Sequence, residues 1–246
     1  MKLIAMALGM VMATMTNVQA TELKLIVGGS LAGLFKEIVP QFEKASGHTL
    51  SIHFDSTPNI ISRINAGTPF DAVVVPADVF RDAAAKSKLA EPTVNIARVG
   101  YGVIVRAGAP KPDLSTPDAF KRSLLAAPSV SSVPSSAAGA YIARVYERLG
   151  IADQMKAKTR AEAAPTAIAP AVARGDAELG IFLTNVFNAP GIELAGPFPA
   201  DLQQELIFPA AVATDAKERA AAKALIDFLK TPDAISAIKA GGMTPG

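Results

Sequence analysis

Short apolar runs alternate with longer amphipathic ones along most of this chain. LKLIV, at residues 23–27, is a compact β-type run broken by Gly28 and Gly29. The following SLAGLFKEIVPQFEKASG sets Leu31, Leu34, Ile38 and Phe42 at helical spacing, predicting a helix interrupted at Pro40. TLSIHF reads as a second strand, and NIISRINAG after Pro58 as a short helix stopped by Gly67. DAVVVP is a third strand, and DVFRDAAAKSKLA a further helix. Strand–helix alternation of this kind predicts a parallel α/β sheet.

The alternation resumes at GYGVIVRAG (residues 100–108), followed by a helix in PKPDLSTPDAFKRSLLAA and a short strand at SVSSV. SSAAGAYIARVYERLG starts a helix on small residues, AIAPAVARG is helical, and ELGIFL is a buried strand. LIFPAAVAT leads back, and the last helical stretch puts Ala222, Leu225, Phe228 and Leu229 on one face. The expected architecture is a two-lobed α/β protein with parallel-rich sheets, flanking helices and a hinged cleft. Residues 21–99 plus 207–246 would form lobe 1 and residues 100–206 lobe 2. Arg98 and Tyr101 would flank the hinge, where either could meet a carboxylate.

Composition narrows the function classes. Half of the 246 residues are hydrophobic, enough for a substantial core. A formal charge of +2, no Trp and only three Tyr leave neither a basic footprint nor stacking platforms for nucleic acid. With two His and no Cys, neither a soft-ligand metal site nor a cofactor is expected. Residues 1–20 read as a signal peptide: a basic start, an uncharged apolar stretch too short to span a bilayer, and a small-x-small end at Ala20. The expected mature chain is periplasmic, monomeric and starts near Thr21.

Helix N-termini at the carboxyl ends of parallel strands offer unpaired N–H groups and partial positive charge, a natural seat for an anion. Three strand-to-helix turns here are rich in small polar residues. They are VGGSLAG with Ser30, FDSTPN with Ser56 and Thr57, and PSSAAGAY around Ala138 and Gly139. Ser and Thr are also ordinary helix caps, so each turn alone means little. Three together point to a shared site. Tyr141 fits two readings, a phenol in the cleft or a core stripe with Val145 and Leu149. His53, Asp55 and Tyr141 are the candidate bases should the site be catalytic; no Ser-His-Asp spacing is visible.

At these turns the chain resembles the periplasmic molybdate-binding protein family of ABC importers. The resemblance rests on FDSTPNIISRINAGTPFDAVVVPAD, AAGAYIARVYERLG, ARGDAELGIFL and ALIDFLKTPDA, in that order. It implies the type II periplasmic binding fold, a small oxyanion or carboxylate ligand, and an ABC permease as partner. It also implies oxyanion contacts from Ser30, from a hydroxyl at Ser56 or Thr57, and from Ala138. Two positions depart from the family pattern. Leu183 stands where the family has a ligand-binding Tyr, followed by Thr184 and Asn185 as replacement donors. Pro165 stands where a backbone N–H is expected. Molybdate is therefore expected to bind weakly or not at all. PGIELAGPFPADLQQ and GYGVIVRAGAPKPD resemble a divergent branch that includes bacterial aconitate isomerase, which implies an alternative function: shifting a double bond by proton transfer on the same scaffold.

Overall fold

The computed structural model describes residues 20–246, so the signal-peptide reading of residues 1–20 falls, but for Ala20, outside the described residues. The chain opens with β1 (Glu22–Gly28), α1 (Ala32–Ser46), β2 (Thr49–Asp55), α2 (Thr57–Asn65), β3 (Ala72–Val74) and α3 (Ala83–Ser87). Next come β4 (Val94–Arg106), α4 (Pro117–Ala126), β5 (Val130–Ser132), α5 (Ala137–Arg148), α6 (Ala152–Lys158) and β6 (Thr159–Ala161). It closes with α7 (Ile168–Arg174), β7 (Leu179–Leu183), β8 (Ile192–Pro197), β9 (Glu205–Val212), α8 (Arg219–Phe228), α9 (Pro232–Ala240) and β10 (Thr244–Pro245).

The strand order is β2-β1-β3-β9-β4-β7-β5-β6, with β8 and β10 also pairing β4. β1 runs parallel to β2 and β3, and β5 runs parallel to β6 and β7. Between these two parallel sets lie β9 and β4. The first half of β4 pairs antiparallel with β9, and its second half with β7 and β8. One strand of 13 residues thus belongs to both halves of the molecule.

Burial follows from this layering. β3 and β7 are buried at every position, as strands covered on both faces should be. The predicted stripe of α1 is inside: Leu31, Leu34, Ile38 and Phe42 are all buried. Each such side chain contributes about 1.5–3 kcal/mol by leaving water. Phe228 of α8 is half-buried and meets Phe42 edge-on, ring centroids 5.5 Å apart.

Several elements differ from the periodicity reading. α1 runs unbroken through Pro40, which lies on its exposed side, where the carbonyl that loses its N–H partner can turn to water. The segment DVFRDAAAKSKLA divides, because the Asp82 carboxylate accepts from Ala85 N–H (2.8 Å) and starts α3 afresh. The C-terminal helix divides in the same way at Thr231–Pro232, a cap followed by proline. α6, β6 and β8 have too little apolar periodicity to be read from sequence; pairing to β5 and β4 defines the two strands.

Candidate functional site

All the parallel strands of both sets discharge toward one place. A cavity of about 180 Å³ is lined by residues that follow β1, β2, β3, β5 and β6, together with the end of β7 and Leu206 of β9. This is the position at which open α/β sheets present helix starts to a ligand.

The first turn, residues 28–30, brings Gly29 close to Asp55: a side chain on Gly29 would stand 3.4 Å from the Asp55 carbonyl oxygen. The second turn presents Ser56 and Thr57 at the start of α2. Ser56 occupies the cap position but its hydroxyl makes no cap hydrogen bond, which leaves it available to the cavity. The third turn is held differently. The Ser136 hydroxyl donates to Val133 O (2.7 Å) and accepts from Gly139 N–H (3.0 Å). Ala138 N–H, between them, has no hydrogen-bond partner among the described residues. The second and third turns touch: Ala137 N–H donates to Thr57 Oγ1 at 3.3 Å. A further bridge runs from Asn185 Nδ2 to Ser30 O at 2.8 Å, while Asn185 Oδ1 is buried without a partner.

Ser30, Ser56, Thr57 and Ala138 therefore share one cavity wall. Gly139, Tyr141 and Thr184 do not line it. Gly139 has its N–H taken by Ser136, and it is glycine for a packing reason. A Cβ there would lie 2.1 Å from Val133 O. Tyr141 donates its hydroxyl to Leu202 O (2.8 Å) and packs on Tyr101, ring centroids 4.7 Å apart; burial pushes both phenols up. The core reading of Tyr141 is the one its geometry supports. Thr184 lies over β4, bonded to Gly100 O at 3.4 Å. Arg98 pairs with exposed Glu205 (3.2 Å) rather than facing the cavity.

Neither Lys nor Arg lines the cavity, so favourable charge must come from helix starts, N–H groups and hydroxyls. Asp55 is its ionisable member. Burial pushes its carboxyl up, but hydrogen bonds from Asn59 (2.8 Å), Ser56 N–H (2.7 Å) and His53 (3.2 Å) outweigh that and leave it below the ordinary value. Asp55 is therefore ionised at neutral pH. Pro165 and Leu183 both line the cavity, the first without an N–H and the second without a hydroxyl. Phe54, Pro76, Phe182 and Thr166 also line it and escape the sequence reading. Of these only Thr166 had a signal, a Pro-Thr step ahead of AIAPAVARG.

The fold is that of type II periplasmic binding proteins. The *Azotobacter vinelandii* periplasmic molybdate-binding protein superposes with a TM-score of 0.74 at 20% identity, covering 90% of this chain and 98% of that one. The sulfate-binding protein SubI of *Mycobacterium tuberculosis* does so at 0.74 and 14% identity, covering 92% and 87%. At those identities the likeness is one of fold. Residues 23–244 match the model of the bacterial extracellular solute-binding protein family, and the chain belongs to that family. Among sequence relatives, an aconitate isomerase from a *Pseudomonas* species is 32% identical over 99% of this chain and 97% of its own length. The molybdate-binding protein ModA of *Azotobacter vinelandii* is 28% identical over 91% and 90%.

Proposed function

We propose that this is a periplasmic solute-binding protein that holds a small oxyanion or carboxylate between two lobes and delivers it to an ABC permease. The observation that carries the reading is the convergence of Ser30, Ser56, Thr57 and Ala138, from three helix starts, on one cavity. Membership of the solute-binding family and the molybdate-binding relatives support it. In this reading residues 21–99 plus 207–246 are one lobe and 100–206 the other. The Ala137–Thr57 and Asn185–Ser30 hydrogen bonds then join the lobes over the ligand. Among the described residues no helix is long and apolar enough to cross a membrane, which fits an exported carrier. The test is a thermal-shift panel of molybdate, tungstate, sulfate, phosphate, citrate and the aconitates. A tight ligand raises Tm with concentration, and a flat response to the whole panel would remove the proposal.

A second reading is favoured by the aconitate isomerase relative together with the Asp55–His53 pair beside the cavity. A carboxylate base there would take a proton from the carbon next to a substrate carboxylate. Returning it to the far carbon of the allylic system shifts the double bond with no net loss of atoms. The helix starts would steady the enolate-like charge. Conversion of cis- to trans-aconitate by the purified protein, abolished in Asp55→Asn, would establish the enzyme. Saturable binding without conversion would leave the carrier.

A further inference from the structure

We propose that Gln203 is a hinge pin: its side-chain amide holds β4 at the residue where that strand passes from one half of the molecule to the other, and limits how far the halves swing apart. The inference rests on the two-lobed reading given above and assigns the residue that governs its motion.

β9 pairs with β4 as far as Gly100, and β8 pairs with it from Gly102 onward. Tyr101 lies between them, in neither register, and is buried. In place of a strand neighbour it meets the side chain of Gln203, from the link between β8 and β9. Tyr101 N–H donates to Gln203 Oε1 at 2.9 Å, and Gln203 Nε2 donates to Tyr101 O at 2.9 Å. One carboxamide thus makes both bonds that an antiparallel partner residue would make. Gly100 lets the amide lie against the strand, since a Cβ there would stand 3.3 Å from Gln203 Oε1. Phe198 N–H also reaches Tyr101 O, at 3.1 Å, so it is the Tyr101 N–H that depends most on Gln203. Gln203 does not line the cavity, and its effect on a ligand passes through the arrangement of the halves.

A side chain differs from a strand partner in one respect: it can turn about its own torsions while the backbones move. The two bonds can therefore persist while β4 bends at Tyr101. A buried N–H without a partner is unfavourable, and without the amide Tyr101 N–H finds one only in water, which forms with the halves further apart admit. The pin keeps the range of opening narrow.

The test measures the distance between the halves directly and needs no ligand. The chain has no cysteine, so Lys86→Cys on α3 and Glu147→Cys on α5, both exposed, can carry one spin label on each half. Pulsed electron resonance then gives the distribution of label distances. Gln203→Met keeps the length of the side chain and loses both hydrogen bonds, so the distribution should broaden and shift to longer distances. Thr116→Ala, which removes the cap of α4 away from β4, is the control for general destabilisation and should leave the distribution as in wild type. Should Gln203→Met fail to fold, Gln203→Glu decides by the same reading: it keeps the acceptor for Tyr101 N–H, loses the donor, and should broaden the distribution less. A Gln203 variant with the wild-type distribution, or equal broadening in Thr116→Ala, overturns the pin and leaves the two-lobed reading standing. A wild-type distance that stays the same with each of molybdate, sulfate, citrate and cis-aconitate at millimolar concentration overturns that reading, and the pin with it.

Discussion

At the scale of single residues, the site separates side chains that touch the cavity from those that shape it. Gly139 shapes it. The Cβ of Gly139→Ala would meet Val133 O at 2.1 Å and Pro134 Cα at 2.6 Å, and backbone cannot step aside as a flexible side chain would. We expect a loss of about 1–3 kcal/mol in chemical denaturation, more than alanine's helix preference returns. Tyr141 is structural in another way. Tyr141→Phe removes the bond to Leu202 O and should cost about 1 kcal/mol, with ligand affinity unchanged by titration calorimetry. Asp55 links the site to pH. Its folded pKa lies below the ordinary 3.8, so the bonds from Asn59, Ser56 and His53 add stability that is complete above that pH. The contribution is lost as pH falls through the lower, folded value. The stability gap between wild type and Asp55→Asn should therefore narrow below about pH 3.8, measured by urea unfolding at a series of pH values.

At the scale of elements, α1 shows both what a sequence can disclose and what it hides. Its buried stripe was legible, since Leu34, Ile38 and Phe42 recur at the helical period. Its continuity through Pro40 was not. Proline weakens a helix by a local effect, and whether the helix survives depends on the packing of its other face. Replacing this exposed residue, Pro40→Ala, should restore one backbone hydrogen bond and raise stability by about 1–3 kcal/mol, read as a higher denaturation midpoint. The same limit governs the site. Ser30, Ser56, Thr57 and Ala138 were legible because hydroxyls and small residues at helix starts form a local pattern. Phe182 and Leu206 were not, because only the strand order brings β7 and β9 to the same cavity. Gly139 looked like a site residue in a one-dimensional reading, and Tyr141 fitted the cleft and the core equally well. Their hydrogen bonds to Ser136 and Leu202 are invisible without coordinates.

At the scale of the whole molecule, β4 ties the two parallel sets together. Its residues 94–100 pair with β9 and residues 101–106 with β7 and β8, so the ladders of the two halves meet in one continuous strand. Unfolding should accordingly be a single transition. Hydrogen exchange of β1 and β7 amides in rising urea should converge on one free energy, and two separated values would contradict this coupling. The interleaving also orders events in time. β3 needs β9 as its neighbour, and a groove beside α1 is lined from α8 and α9 as well, yet these segments are synthesised well after β1–β3. The β1–β3 set must therefore wait until β9, ending at residue 212, has left the ribosome. For a chain that must cross a membrane to reach the proposed periplasmic location, that delay has a use: the polypeptide stays threadable until its later segments arrive to close it.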